Sequence, residues 1–351
     1  MLLYLHIPFC DSKCHYCAFN SYTHLHRYKK RYMEAINRQL DFELERFESE
    51  KEHIKTLFIG GGTPSTVEAE CYGPFFEKLR PFLAPDAEIT TEANPGSATS
   101  QWLCGMRDLG VNRVSFGVQS FDAKKLKFLG RNHDPHTAQE APRLAREAGF
   151  SHISIDLVYA TALDSRELLQ KDLDIAFSLP IDHLSAYALT LEEKTLFFST
   201  PEVLNDNAER ARWLGEEIRK RGFGQYEISN FGRYRCRHNL GYWQLHDYIG
   251  IGSGAVGFLK DRRFYPPVDI RSYIENPLAQ REERLTFEDL RTEKVLLGLR
   301  SIVGVEATLL KPSERQKANL LVEEGKLDET KGLYFNKDYY LSDAIALFLL
   351  E

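Results

Sequence analysis

The chain has 351 residues, a length that accommodates one large domain and a small one. Its formal net charge of -6 argues against a nucleic-acid partner bound through a broad basic surface, and its 43% hydrophobic content is that of an ordinary globular protein. No apolar run is long enough to span a bilayer, and the strand-like run at residues 2–7 has no cationic segment before it. We therefore expect a cytoplasmic protein without a transmembrane segment.

Short apolar runs typical of buried strands alternate with longer helical patterns through the first half of the chain. The predicted strands are residues 2–6, 56–59, 88–91, 113–118, 152–158 and 183–189, and the helices between them are 28–47, 73–83, 101–109, 137–148 and 166–177. This alternation predicts an α/β fold with a parallel sheet and right-handed crossovers. Six units rather than eight indicate a partial (β/α)6 barrel, although a doubly wound open sheet would show the same periodicity.

After the sixth strand the alternation ends. The pattern predicts a helix over residues 206–222 and an extended segment over 226–229, and a glycine-rich run follows at 249–257. Two helices (286–300 and 314–324), a hairpin (332–341) and a last helix after Ser342 predict a small winged-helix-like domain. We therefore divide the chain into a barrel (1–200), a connecting segment (201–280) and a C-terminal domain (281–351).

Three cysteines lie close together near the N-terminus: Cys10, Cys14 and Cys17. Soft thiolates at such spacing indicate a metal or iron–sulfur site rather than a disulfide. A structural zinc site or an ordinary cubane takes four ligands, so three thiolates on a four-iron cluster leave one iron open to an exchangeable ligand. The alternative is a zinc site completed by His6 or His15, but zinc ligands usually come as two separated pairs and no second pair follows.

Polar residues stand where successive predicted strands end. A glycine loop at residues 60–64 follows the second strand, and Glu92, Gln119 and Asp156 end the next three. Because parallel barrels carry their sites at the C-terminal edge of the strands, this series predicts one shared site. The glycine loop lacks the Gly-Lys-Ser/Thr end of a phosphate-binding loop and the spacing of a dinucleotide fingerprint, and by itself it could be a tight turn.

The cysteine spacing, with Tyr16 before the last cysteine, resembles that of the radical S-adenosylmethionine (SAM) superfamily. The glycine loop Gly-Gly-Gly-Thr-Pro resembles the superfamily segment that hydrogen-bonds the amino group of SAM. Further segments are similar to those of oxygen-independent coproporphyrinogen III oxidases and the related HemW-type haem chaperones: Tyr-Leu-His-Ile-Pro-Phe-Cys (4–10), Glu-Ala-Asn-Pro (92–95), Ser-Phe-Gly-Val-Gln-Ser (115–120), Arg-Asn-His (131–133) and Ile-Asp-Leu (155–157). The resemblance covers most of the chain and is weakest toward the C-terminal domain.

This resemblance implies a 4Fe–4S cluster on the three cysteines and a bound SAM. The residues that match the family's SAM contacts are Tyr4, Tyr16, Gly61, Gly62, Thr63, Glu92, Gln119, Arg131, Asp156 and Ala188. Carboxylates can hold the ribose hydroxyls, and Arg131 can pair with the SAM carboxylate. The family's Gly-Leu-Pro-Gly loop after the fifth strand is replaced here by Tyr-Ala-Thr-Ala-Leu at 159–163, so we expect the packing near Asp156 to differ.

Two positions separate the oxidases from the chaperones. The oxidases have a further cysteine two positions after the third cluster ligand, where this chain has Phe19. The segment His-Asn-Leu-Gly-Tyr-Trp at 238–243 is similar to the haem-binding element of the chaperones. The resemblance implies that His238 ligates haem iron while Tyr242 and Trp243 cover a porphyrin face, with Cys236 as a candidate second ligand.

We therefore expect a haem chaperone that transfers haem to an acceptor haemoprotein, with SAM and the cluster acting as a regulator or structural support. An electron donor protein for the cluster is a further expected partner. The alternative is a radical SAM enzyme that acts on a porphyrinogen, in which the cluster would supply the electron for SAM cleavage. Phe19 leads us not to expect coproporphyrinogen oxidase activity.

Overall fold

Six parallel strands, hydrogen-bonded in chain order, form the centre of the sheet in the computed structural model, which describes residues 1–351. They are β1 (Leu2–Ile7), β2 (Ile54–Gly61), β3 (Leu83–Ala93), β4 (Arg113–Gln119), β5 (His152–Tyr159) and β6 (His183–Ala188). The order 1-2-3-4-5-6 confirms the partial (β/α)6 barrel, because a doubly wound sheet would reverse direction after its first strands.

The connections between these strands are helical and cover the outer face of the sheet. They contain α1 (Lys29–Arg46), α2 (Gly73–Leu79), α3 (Ser100–Leu109), α4 (Ala123–Phe128), α5 (Pro135–Glu147) and α6 (Arg166–Ser178). Leu3, Leu5 and Ile7 of β1 pack in one buried cluster with Ile36 and Leu40 of α1. Because side chains alternate along a strand, the residues between them face the barrel interior.

The connecting segment extends this sheet at both edges. Together with the first four residues of the predicted C-terminal domain, it contributes α7 (Ala208–Lys220), β7 (Gly224–Gln225), β8 (Asn230–Gly232), α8 (Arg237–Trp243), β9 (Tyr248–Ile251), β10 (Gly257–Leu259), β11 (Arg262–Tyr265), α9 (Ile270–Glu275) and β12 (Arg281–Arg284). Strand β9 lies parallel to β1, while β8 lies antiparallel to β6. The prediction of an extended segment at 226–229 is wrong, since these residues form the turn between β7 and β8.

The C-terminal region has its own buried core, which includes Val295, Leu321 and Leu349. It consists of α10 (Phe287–Leu299), β13 (Val305–Glu306), α11 (Pro312–Glu323), β14 (Leu327–Thr330), β15 (Leu333–Asn336) and α12 (Ser342–Leu350). The predicted hairpin was placed too far along the chain. Its turn lies at Lys331 and Gly332, which both have positive φ, and so at the start of the predicted range rather than in its middle.

Polar side chains line the barrel interior, and α8 closes the end opposite the C-terminal edge of the strands. Glu88 and Glu92 lie on the same face of β3, and Arg113 of β4 pairs in register with Thr90 between them. Helix α8 packs against β2 and α10. The helices of the protein include none with the length and apolarity needed to cross a membrane.

Candidate functional site

A pocket of about 840 Å³ opens at the C-terminal ends of the barrel strands. It brings together most of the residues that the sequence suggested: Cys10, Cys14, Cys17, Tyr16, Gly61, Gly62, Thr63, Glu92, Gln119, Arg131 and Asp156. Tyr4, Ala188 and His238 do not line it.

The three thiols lie in the loop between β1 and α1, on one side of this pocket. Thr63 Oγ1 donates to Cys10 Sγ at 3.4 Å, and Arg131 Nη1 donates to Cys14 Sγ at 3.2 Å. Burial raises the pKa of Cys10 and that of Cys17. No three His, Cys, Asp or Glu side chains of the protein are arranged to hold a single metal ion. In a four-iron cluster each thiolate binds a different iron, so three thiols at the wall of one pocket are donors of the right kind for it.

The two histidines of the zinc alternative differ, since His6 has hydrogen-bond partners on both ring nitrogens and His15 has one on a single nitrogen. His6 Nε2 lies 2.9 Å from the Asn20 carbonyl oxygen, and its Nδ1 lies 3.0 Å from the Tyr4 hydroxyl. His15 Nδ1 lies 2.8 Å from the Phe128 carbonyl oxygen. Neither histidine lines the pocket, so the structure favours the cluster over a zinc site.

The glycine loop at the end of β2 lies close to the cysteine loop. Gly61 has φ 115°, and a Cβ there would collide with the His6 ring. A Cβ at Gly62 would lie 2.8 Å from the Phe9 carbonyl oxygen and 3.1 Å from Cys10 Sγ. Glycine is therefore required at both positions for the two loops to approach.

Two acidic side chains face each other across the pocket. Glu92 Oε2 accepts a hydrogen bond from Gly61 N at 3.1 Å, and Asp156 Oδ1 accepts one from Ser115 Oγ at 3.2 Å. Burial, followed by the nearby Asp156 charge, raises the pKa of Glu92 to about 7. Burial also raises the pKa of Asp156. A bound cation would offset both costs, because it stabilises the ionised carboxylates.

Arg131 and Gln119 complete the wall near the cysteines. Arg131 Nη2 donates to the Gly117 carbonyl oxygen at 2.6 Å, while its Nε is buried with no hydrogen-bond partner. Gln119 has φ 70°, a left-handed conformation that is uncommon for residues other than glycine, and its Oε1 accepts from Tyr187 Oη at 2.9 Å. Strained backbone of this kind tends to occur at functional sites.

Some residues predicted to contact SAM lie outside the pocket, and some residues that line the pocket were not predicted. Tyr4 points below it, with its hydroxyl on His6, and Ala188 ends β6 next to Tyr187. The side chains of Tyr187 and Ser115 line the pocket. They lie two residues from other inward-facing positions, so the alternation of residues along each strand is the signal that could have found them.

The loop at 159–163, whose sequence differs from the family's, is held by a buried ion pair and its hydrogen bonds. Ala160 has φ 64°, a conformation that favours glycine. Asp164 Oδ2 accepts from Thr161 N at 2.8 Å, and Asp164 Oδ1 accepts from the buried Lys125 Nζ at 2.6 Å. Lys125 Nζ also donates to the Val158 carbonyl oxygen at 2.7 Å, so this ion pair holds the loop in shape.

His238 lies at the opposite end of the barrel. It is 1% exposed, and its Nδ1 lies 2.7 Å from Thr56 Oγ1 while its Nε2 is buried without a hydrogen-bond partner. Its ring packs edge-on against Tyr242 at 4.7 Å. Burial, and then the Arg113 charge, lower the pKa of His238 to about 3, so the imidazole is neutral. Cys236 is also buried, and its thiol donates to Glu88 Oε1 at 3.6 Å.

Comparison with known proteins identifies the family. A sequence profile of the Radical SAM superfamily matches residues 4–171. The chain is 35% identical to the haem chaperone HemW of Mycobacterium tuberculosis, over 93% of this chain and 88% of that protein. The chain belongs to the HemW family of radical SAM proteins. It is also 41% identical to the haem chaperone HemW of Escherichia coli, over 73% of this chain and 69% of that one.

Among solved structures, the chain is similar to coproporphyrinogen III oxidase (HemN) from Escherichia coli, described as a radical SAM enzyme. The TM-score is 0.82 at 21% identity, covering 99% of this chain and 89% of that one. At this identity the likeness shows the fold. Family membership implies a 4Fe–4S cluster and SAM as cofactors of the HemW-type chain, and the pocket described above has the thiols and polar groups to hold them.

Proposed function

We propose that this HemW-type chain is a haem chaperone, which binds haem through His238 and passes it to an acceptor haemoprotein. Its curated relatives are named haem chaperones, and the relative from Mycobacterium tuberculosis aligns over 93% of this chain. The observation that carries the proposal is the imidazole of His238, which is neutral and has an Nε2 without a hydrogen-bond partner. In the tautomer whose Nδ1–H donates to Thr56 Oγ1, Nε2 has a free lone pair, and such a neutral imidazole nitrogen is a good ligand for haem iron.

In this proposal the pocket at the other end of the barrel holds the cofactors. Cys10, Cys14 and Cys17 would ligate the cluster, which would supply a coordination position and an electron to SAM. Thr63 and Arg131 would hold thiolates in place through the hydrogen bonds they make to Sγ atoms. A protein that reduces the cluster is part of the proposal.

Within the pocket, each polar group has a role that its chemistry supports. Glu92 and Asp156 would accept hydrogen bonds from the ribose or amino groups of SAM and offset its positive charge. Arg131 would pair with the SAM carboxylate, since its Nε is unpartnered. Gln119, held by Tyr187, would bind the nucleoside from the side of β4.

One position argues against porphyrinogen oxidation. Phe19 is 70% exposed at the pocket wall, where the oxidase branch has a cysteine. A phenyl ring can supply neither the thiolate nor the proton of that cysteine. The enzymatic alternative is therefore not favoured.

The test is an anaerobic titration with ferric haem of the wild type and His238→Ala at matched cluster content, followed by transfer to an apo-haemoprotein. We expect weaker haem binding and a changed Soret band in the variant. His246→Ala is the matched control, because His246 is exposed in the same segment. Robust conversion of coproporphyrinogen III by the wild type would overturn the proposal, and identical haem binding by His238→Ala would remove this residue from it.

A further inference from the structure

We propose that α8 is a latch that keeps His238 closed to haem, and that Glu88 of β3 holds this latch shut. The inference rests on the proposed role of His238 as haem ligand, and it concerns how that site is regulated. It requires that haem binds only after α8 moves away from the barrel floor.

In the described conformation haem cannot reach His238. The residue is 1% exposed, and its ring lies between Phe58, at 5.3 Å, and Tyr242. Iron ligation needs a bond to Nε2 and room for a flat macrocycle beside it. His238 does not line the cofactor pocket, and it does not line the apolar groove that lies beside Tyr242 at the barrel floor. The ligand must therefore be uncovered before haem binds.

Glu88 makes the contacts that keep α8 in place. Its Oε2 accepts from Arg237 N at 2.9 Å and from Tyr234 Oη at 2.8 Å, and its Oε1 accepts from His238 N at 3.0 Å. Glu88 is 2% exposed and belongs to a central strand of the sheet. These charge-assisted hydrogen bonds join the first turn of α8, including the backbone of His238 itself, to the barrel.

A second contact holds the His238 side chain directly. The hydroxyl oxygen of Thr56, on β2, lies 2.7 Å from His238 Nδ1 and is the hydrogen-bond partner of the imidazole. The opposite nitrogen has none, so ring orientation depends on Thr56. Backbone and side chain of His238 are thus held by two different strands.

An apolar groove lies beside the latch. Its wall includes Tyr242 and Leu245, from α8 and the residues after it, together with Tyr248 of β9 and Leu297 of α10. Tyr242 contacts both the groove and the His238 ring. Displacement of α8 would therefore join His238 to an apolar surface suited to a porphyrin face.

A latch has an effect on affinity opposite in sign to that of a supporting contact. If haem binds only the open form, the apparent affinity is the intrinsic affinity multiplied by the open fraction. Weakening the latch raises that fraction and should strengthen haem binding. Loss of a residue that merely supports the bound site would weaken it.

The experiment titrates the cluster-loaded protein with ferric haem, comparing Glu88→Gln and Thr56→Val with the wild type. We expect roughly ten- to a hundredfold tighter binding for Glu88→Gln, which loses charge-assisted hydrogen bonds, and roughly fivefold for Thr56→Val. The association rate should rise with the affinity. Asp86→Asn is the matched control, since Asp86 contacts the same helix through Arg237 but its side chain is 74% exposed.

Cluster content and SAM binding, measured on each sample, report whether the fold is intact. If Glu88→Gln loses them, Thr56→Val decides the question alone. Weaker or unchanged haem binding in a variant with an intact cofactor site would overturn the latch. His238→Ala, measured in parallel, separates the two proposals. If His238→Ala binds haem like the wild type, the ligand assignment fails and the latch fails with it. If His238→Ala loses haem affinity while the other variants gain none, only the latch fails.

Discussion

The two ends of the barrel treat buried charge in different ways. At the C-terminal edge, Glu92 and Asp156 line the same pocket, and both have a raised pKa because burial disfavours their ionised forms. At the floor, the carboxylate of Glu88 accepts two backbone N–H groups and a tyrosine hydroxyl, and it is shielded from solvent. A site left short of positive charge is prepared for a cationic ligand, whereas a saturated carboxylate is a structural anchor.

The two ends also differ in access. The pocket is lined by loops that follow the strands, and such surface loops leave it open to ligands. The floor is closed by α8, whose His238 side chain fits among Thr56, Phe58 and Tyr242. In the proposed role of His238 as haem ligand, this histidine would have to be exposed by movement of its helix.

Loss of a cluster ligand should separate the two ends most clearly. In Cys14→Ala we expect the iron and sulfide of the reconstituted protein, and its broad absorbance, to be lost, because two thiolates cannot hold the cluster. Haem affinity should stay within about twofold of wild type, since distant sites act additively. Cys104→Ala, which removes an exposed thiol elsewhere, is the control. Full iron content in Cys14→Ala would contradict the assignment.

Replacing Arg131 should affect SAM binding but not cluster assembly, and so separate the two parts of the pocket. Arg131→Gln should weaken SAM binding roughly ten- to a hundredfold, because a charge-assisted contact to the SAM carboxylate is lost. The cluster should still assemble, and the change that SAM causes in its electron paramagnetic resonance spectrum gives the affinity. Arg143→Gln, on the exposed face of α5, should bind SAM normally. Equal affinities in both variants would exclude Arg131 from the site.

The pocket, unlike the floor, should respond to pH near neutrality. Glu92 has a pKa of about 7, so its carboxyl becomes neutral below that pH and loses its attraction for the positive charge of SAM. We expect SAM affinity to fall about tenfold between pH 8 and pH 6, as linkage requires for a single group that must be ionised. Glu92→Gln should flatten this dependence. A profile that stays as steep in the variant would assign the titration to another group.

The same shift acts on stability with the opposite sign. Because the pKa of Glu92 rises from 4.5 to about 7 on folding, the ionised form opposes folding. The contribution of Glu92 to the free energy of unfolding is therefore lost as the pH rises from 4.5 to 7, and regained as the pH falls. Thermal unfolding of wild type and Glu92→Gln across this range measures it.

The smallest expected effect concerns the loop after β5. Ala160→Gly should stabilise the protein by about 0.5–1 kcal/mol, because glycine adopts positive φ without the Cβ penalty. Ala162→Gly, at an exposed position of the same loop, should not stabilise, since it only adds flexibility to the unfolded chain. Thermal unfolding of the two variants gives the comparison, and equal shifts would show that backbone strain at Ala160 is negligible.

Much of this architecture follows from local patterns. The six barrel strands, most of the helices between them and the polar residues at the strand ends were predicted, since apolar periodicity and strand ends are read within one segment. Strands β9 to β12 and helix α8 were missed. Each of them has at most seven residues, which is too few for a period to be recognised, and their pairing partners lie far away in the chain.

The sequence by itself determined which thiols and glycines meet at the pocket, because Cys10, Cys14 and Cys17 keep their spacing in any fold and Gly61 indicates a close approach of two backbone segments. Only the tertiary structure decided that Glu88 anchors α8 and that His238 is buried. Glu88 has the same inward-facing position on β3 as Glu92, so pattern alone assigns them equal roles. Their difference arises from what the distant chain brings to each: an open pocket at one end, and the backbone of α8 at the other.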